Sequence, residues 1–345
     1  MSKITKALAL AVLCAASATA WSQADEHIAL YTGADRQQRL EEGAKKEGAL
    51  VLYTTIPTQY AKDLIEPFEK KYGVKVEVWR ARSELIQQRV INEARSGHPK
   101  VDIIANTSPP MEALHREKLL QKVDSPYFKG LMPLAIPDHR EWVSINLLVM
   151  VQAYNTQKVK KEDLPKTYED LLDPKWKDKL AIEGSDYDWT ESVISDMGEE
   201  KGEQFFKDLV TKNRLSVRNG HPLLTNLVGS GEVPLALTVY QYSVEQAKKT
   251  GAPIDWFAIE PAITITVGAG IMKNASHPYA ATLFYDYLLS EDAQRILDKI
   301  GYYATNTKVE PPFEGVKLKI LDPGMLLDQQ DKAYRRFESL MQLSR

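Results

Sequence analysis

Between residues 49 and 120 the sequence switches repeatedly between two hydrophobic periods, and this alternation restricts the fold more than any other feature. "ALVLYTT" is a short apolar run ending in threonines, the pattern of a buried strand. "QYAKDLIEPFEKKYG" sets Leu64, Ile65, Phe68 and Tyr72 on one helical face, and Gly73 closes it. "VKVEVW" alternates strictly, with Val74, Val76 and Val78 on one side of a second strand. Ser83 caps a helix over "SELIQQRVINEARSG", which stops at Gly97. "VDIIAN" is a third strand, and Pro109-Pro110 opens the helix "MEALHREKLL". Strand, helix, strand, helix, strand is the order of a parallel sheet with helical crossovers, so the class is α/β.

A chain of 345 residues has room for two such domains. Pro126, Gly130, Pro133 and Pro137 break the rhythm, and the long strand-like run "EWVSINLLVMVQAYNT" then crosses into a second domain. "LAIEG" and "VPLALTVY" read as its strands; "GEEKGEQFFKDLVTKN", "PLLTNLVGSG" and "SVEQAKKTG" read as its helices. "ITITVGAGIMKNA" returns as a strand to the first domain, followed by an amphipathic helix pair in "HPYAATLFYDYLLSEDAQRILDKIG". The expected lobes are residues 25–140 plus about 262–306, and residues 141–261 plus about 307–345. Ligands of open α/β sheets sit beyond the carboxyl ends of the strands. Two such domains joined by a hinge make a cleft that can close on a solute.

The first 24 residues read differently. Lys3 and Lys6 precede an apolar stretch, and Ala18-Thr19-Ala20 or Ser22-Gln23-Ala24 offers a small-residue cleavage site, the pattern of a secretory signal peptide. The apolar run falls short of the ~20 residues a membrane-spanning helix needs. Cys14 is the one cysteine and lies in this leader, so the exported chain is expected to carry no disulfide. Loss of the two leader lysines takes the net charge from −3 to −5, which excludes the strongly basic stripe of a nucleic-acid binder. A monomer exported to the periplasm is expected.

Local catalytic signatures are absent: no H-E-x-x-H, P-loop or G-x-S-x-G occurs, and His98, His221 and His277 each precede a proline, a loop position. Polar residues instead gather at strand ends. Thr54 and Thr55 follow the first strand, Arg82 and Ser83 the second, and Asn106, Thr107 and Ser108 the third, where free N–H groups of a helix start favour an anion. Each also suits a turn or cap. In "GSDYDWTES", Asp186 and Asp188 lie beside Tyr187 and Trp189, carboxylates and aromatic faces that suit a cation or amine; equally, the aspartates suit a helix cap and Trp189 the core.

"TYEDLLDPKWKDKLAI" (167–182), "LVGSGEVPLAL" (227–237) and "NASHPYAATLFYDYLLSEDAQ" (274–294) resemble the signature stretches of bacterial extracellular solute-binding proteins of ABC importers, in the ferric-iron-type branch. The likeness runs from about Gly48 to Gly301. It implies a two-lobed type II periplasmic-binding-protein fold with a hinge and an inter-domain ligand cleft, no catalysis, and a membrane permease as partner. A protein presenting its solute to a sensory receptor and an exported enzyme are the alternatives.

The resemblance places ferric-iron ligands at two adjacent tyrosines, a histidine and a carboxylate. Here Tyr242 matches the second tyrosine, while Gln241, Pro57 and Thr107 stand at the other three places, and Asp186, Tyr187 and Asp188 replace the small phosphate-binding residues. Tyr240 and Tyr242 lie two apart, about 6.5 Å along a continuous strand, and would have to lean together to share Fe(III). Hard ions favour oxygen donors, so either aspartate could assist. The other ligand class is a small charged organic solute: Arg82 would fork onto a carboxylate or phosphonate, Tyr240, Tyr242 and Trp189 would wall the pocket, Thr54, Thr55 and Thr107 would donate hydrogen bonds, and the aspartates would take an amine.

Overall fold

The computed structural model describes residues 28–342, so the expected leader lies outside the described residues. The chain divides into two compact units. The first comprises residues up to Ile145 with Gly268–Ile296 and Thr305–Lys308; the second comprises Asn146–Val267, Leu297–Ala304 and the remainder from Val309.

The first unit opens with helix α1 (Arg36–Glu47), then β1 (Ala49–Thr54), α2 (Thr58–Tyr72), β2 (Lys75–Arg80), α3 (Ser83–Arg95), β3 (Ile103–Thr107) and α4 (Ser108–Arg116). Strand β1 lies between β2 and β3 and runs parallel to both, with Leu50 opposite Val76 and Leu52 opposite Ile103. The alternation in the sequence is therefore a parallel sheet with helical crossovers. Helix α2 buries Ala61, Leu64, Ile65 and Phe68 and ends at Gly73, whose φ of 69° is the left-handed conformation glycine adopts cheaply. Val74 and Val76 are buried, but Val78 is 42% exposed because β2 is the outermost strand of its sheet.

Three local expectations are corrected. Ser83 is not the cap of α3; Arg82 holds that position and Ser83 is the first helical residue. Helix α4 begins at Ser108 with Pro109 and Pro110 inside its first turn, and stops at Arg116 rather than running on to Leu120. The helix pair after the return strand is not uniformly amphipathic: every residue from Ala280 to Leu289 is buried, the pattern of a helix surrounded by protein.

Strand β4 (Val143–Asn155), buried along its whole length, carries the chain into the second unit. There follow β5 (Leu180–Glu183), α5 (Tyr187–Met197), α6 (Glu199–Thr211), β6 (Ser216–Arg218), α7 (His221–Ser230), β7 (Leu235–Tyr240), α8 (Gln241–Lys249) and β8 (Ile254–Phe257). Strand β9 (Ala262–Ile271) leads back to the first unit, where α9 (Pro278–Leu289) lies, and α10 (Glu291–Ile300), β10 (Tyr303–Ala304), β11 (Leu318–Ile320) and α11 (Pro323–Met341) complete the chain. In the second unit β5 pairs in parallel with β6 on one side and β7 on the other, so the carboxyl ends of β5, β6 and β7 point the same way. Helices α5 and α6 meet at Gly202, where an added Cβ would lie 2.5 Å from the Ile194 Cα. No helix of the described residues is long and apolar enough to cross a membrane.

The first unit is fastened by a buried ion pair. The Arg36 guanidinium donates to the Asp286 carboxylate of α9, and Ser125 Oγ donates to the same carboxylate at 2.8 Å. The side chains of Arg36 and Asp286 are 6% and 2% exposed. Asp286→Ala would strand a buried guanidinium, and we expect a loss of about 3–5 kcal/mol. Urea unfolding at pH 7 measures it; replacing both partners by apolar residues should recover most of the loss.

Candidate functional site

The carboxyl ends of β5, β6 and β7 build a compact polar site in the second unit. Strand β5 ends at Glu183, which is 3% exposed. Glu183 Oε2 accepts from Ser185 N at 2.6 Å and Ser185 Oγ at 2.5 Å, and Oε1 accepts from Gly220 N at 2.7 Å. Its own amide donates to Thr238 Oγ1 at 3.1 Å. One carboxylate thus fixes the turn before α5 and the turn before α7. Gly220, with φ at 105°, takes a conformation closed to most side chains, and delivers His221 to the first position of α7.

Asp186 occupies the N-cap position of α5 but makes no side-chain cap hydrogen bond. Its carboxylate faces inward instead. Asp186 Oδ1 lies 3.3 Å from His221 Nε2, with side chains 4% and 14% exposed. Asp186 Oδ2 and His221 Nδ1 are buried without a hydrogen-bond partner. One donor atom each from Glu183, Asp186 and His221 lies within 4.8 Å of the others, a spacing that would admit a small cation. The His221 ring lies 4.0 Å from the Tyr240 ring.

The electrostatics follow from burial. Burial raises the Asp186 carboxyl above the ordinary range, against the opposing pull of His221. For His221, burial acts downward, but the Asp186 charge outweighs it and the imidazole is raised. Asp188, in the first turn of α5, is pushed up to about 7 by burial and then by the neighbouring Asp186 charge. The Tyr240 phenol is raised well above its usual value by burial, then by Asp186, and remains protonated near neutrality.

The residues expected from sequence separate into three groups. Asp186 and Tyr240 lie at the polar site, joined by Glu183 and His221. Strand β7 ends at Tyr240 and α8 starts at Gln241, so the two tyrosines are not on one continuous strand; their rings lie 6.0 Å apart with planes 14° from parallel, and Tyr242 also packs on Tyr302 at 4.4 Å. Trp189 is only 1% exposed and packs against Tyr168 and Phe206, in the core rather than on a pocket wall.

The remaining group belongs to the first unit. Thr54 is fully buried, and its Oγ1 accepts from Ile56 N at 3.1 Å, a turn contact. Thr55 donates its amide to Ala105 O at 3.1 Å. Ser83 Oγ donates to Asn106 Oδ1 at 2.6 Å and shares a short hydrogen bond with the Thr107 hydroxyl. Arg82 is exposed at the start of α3, and Ser108 Oγ is buried without a partner. The anion cradle expected at the start of α4 is thinner than supposed, because Pro109 and Pro110 have no N–H and the Thr107 amide already donates to Asn106 Oδ1 at 2.8 Å.

Sequence reasoning missed Glu183 and His221. A histidine before proline suggests a loop, yet His221-Pro222 and His277-Pro278 both stand at helix starts, where proline is favoured. That dipeptide, following the carboxyl end of a strand, was the available signal.

With this geometry in place, the comparisons with known proteins become informative. The profile of the family described as bacterial extracellular solute-binding protein matches residues 98–324. The chain belongs to this family. It is similar to the Fe(3+)-binding periplasmic protein of Serratia marcescens, 23% identical over 267 residues that cover 74% of this chain and 78% of that protein. Among solved structures, iron-bound HitA from Pseudomonas aeruginosa superposes with a TM-score of 0.75 at 22% identity, covering 85% of this chain and 99% of that one. AfuA from Actinobacillus pleuropneumoniae, holding fructose-6-phosphate, superposes with a TM-score of 0.73 at 25% identity, covering 86% and 99%. This family member is a periplasmic solute-binding protein of the ferric-iron type, and its two units have the α/β fold of periplasmic binding proteins.

The raised Asp188 carboxyl has a stability consequence. A group that binds its proton more tightly when folded favours the fold fully below its ordinary value of 3.8, and that contribution is lost as pH rises towards about 7. We expect the melting temperature of the solute-free protein to fall across this window, and Asp188→Asn to flatten the fall and be the more stable form at pH 8, by on the order of 2 kcal/mol. Melting curves of both proteins from pH 4 to 8 test this. Separately, Glu183→Ala should cost about 1–3 kcal/mol by leaving the amides of Ser185 and Gly220 without their acceptor, measured by urea unfolding at pH 7.

Proposed function

We propose that this protein is the binding component of an ABC importer whose solute is a small organic molecule rather than bare ferric iron. It acts by capture without turnover, as a monomer, and hands the solute to a membrane permease. Family membership carries the binding role. The choice of ligand rests on one observation. Of the four places at which ferric-binding members carry donors, this chain keeps only Tyr242, with Gln241, Pro57 and Thr107 at the others.

The fold alone leaves the ligand open, since one neighbour is described with iron and another with a sugar phosphate. Ferric iron favours anionic oxygen donors. Proline offers it no side-chain donor, and Gln241 and Thr107 offer neutral atoms.

Titration of the purified protein with ferric citrate tests this reading. We expect no visible tyrosinate–iron absorption, while thermal shifts appear with small organic solutes. A visible band with one equivalent of iron would overturn it. Tyr242→Phe should weaken binding of the solute so identified by roughly tenfold in calorimetry, the scale of one lost hydrogen bond.

A further inference from the structure

We propose that the second unit receives an ammonium group of the solute at Asp186 Oδ2, with Asp188 and the Tyr240 ring completing the subsite. The inference rests on the organic-solute reading above and names its chemical class.

Most polar atoms of the site are already in use. Both oxygens of Glu183 accept hydrogen bonds, from Ser185 and from Gly220, so this carboxylate holds the turns and has little left for a ligand. Asp186 Oδ1 faces His221 Nε2 at 3.3 Å. Asp186 Oδ2 is the acceptor left over: its residue is 4% exposed and the atom makes no well-formed hydrogen bond, with the Thr238 hydroxyl near the carboxyl and itself accepting from the Glu183 amide. A buried carboxylate oxygen without a donor is costly to maintain. A donor arriving with the solute removes that cost.

The charge around that oxygen selects the donor. Glu183 of β5 and His221 of α7 each bring a donor atom within 4.8 Å of the Asp186 carboxylate, the Tyr240 ring of β7 lies against His221, and Asp188, two residues on in α5, has its own carboxyl raised by burial and then by the Asp186 charge. On the outer side of α5, Lys332 and Arg336 of α11 pair with Glu191 and Glu199, so these cations are already matched. A carboxylate or phosphate entering the subsite would meet three carboxyl groups. A neutral hydroxyl would satisfy one hydrogen bond and leave the charge uncompensated. An ammonium group brings three N–H donors and the opposite charge. The Tyr240 ring, tilted 35° against His221 with centroids 4.0 Å apart, adds an aromatic wall of the kind cations favour. A metal ion would have to share the Glu183 oxygens with Ser185 and Gly220.

The test compares compounds that differ only in the amino group: β-alanine with propionate, and 2-aminoethyl phosphate with ethyl phosphate. In calorimetry with the purified protein at pH 7, we expect the ammonium member of a pair to bind roughly 10- to 100-fold more tightly, the range of a hydrogen bond to a charged group. Binding should release protons, seen by repeating the titration in buffers of different ionisation enthalpy. Asp186→Asn should abolish the preference. Because a core-facing change can also impair folding, Asp188→Asn, checked by circular dichroism, should reduce both the preference and the proton release.

Equal binding within each pair would overturn the ammonium assignment and leave the organic-solute reading standing. Binding of ferric citrate with no binding by any amine would overturn both. Binding by none of the amines at millimolar concentration would overturn the assignment as well.

Discussion

Glu183 sits almost out of reach of water at the end of β5, yet its carboxylate is fully employed: Ser185 and Gly220 donate to it, and its amide reaches Thr238. A buried carboxylate is tolerable only when donors replace lost water. Here the donors belong to two different turns, so satisfying one charge also ties the start of α5 to the start of α7. Asp186 and His221 each lie within one to three residues of a Glu183 contact. Their approach is therefore supported by backbone hydrogen bonds to Glu183 as well as by their own attraction at 3.3 Å.

That rigidity has an electrostatic cost. Burial, and after it the neighbouring charge, favours the protonated carboxyls: Asp188 is raised to about 7 and Asp186 is raised as well, while the Asp186 charge raises His221. A site arranged in advance loses little freedom when a ligand arrives. The strain of the empty site then becomes a source of affinity for whatever relieves it.

The architecture was legible because it rests on repetition. Each strand–helix unit of the first lobe, from Ala49 through Arg116, declared itself by apolar spacing and by stops such as Gly73. Burial on all sides was less legible: α9 carries Tyr279, Thr282, Tyr285, Asp286 and Tyr287 among its apolar residues, which imitates a solvated face until Asp286 is seen to meet Arg36, some 250 positions away. The site was half legible. Asp186 was visible as one of two carboxylates at a helix start, whereas Glu183 looked like the end of a strand and His221 like a loop, because their partnership joins two separate strand ends. The proline pair after Ser108 misled in the opposite direction, since proline removes the N–H groups that make a helix start attractive to anions.

The separation of core from site explains how one scaffold serves different solutes. The parallel pairing of β1 with β2 and β3, the Arg36–Asp286 pair and the close crossing at Gly202 involve no residue at the ends of β5 or β7. Replacing a donor at a strand end changes the ligand's surroundings and leaves those contacts intact. Membership of the family therefore determines the two α/β units and the act of binding, while the chemistry of the solute is written in a few turn residues that the fold does not need. In this chain those residues are Asp186, Asp188 and His221, where carboxyl groups outnumber the one imidazole, while Glu183 holds the turns that carry them.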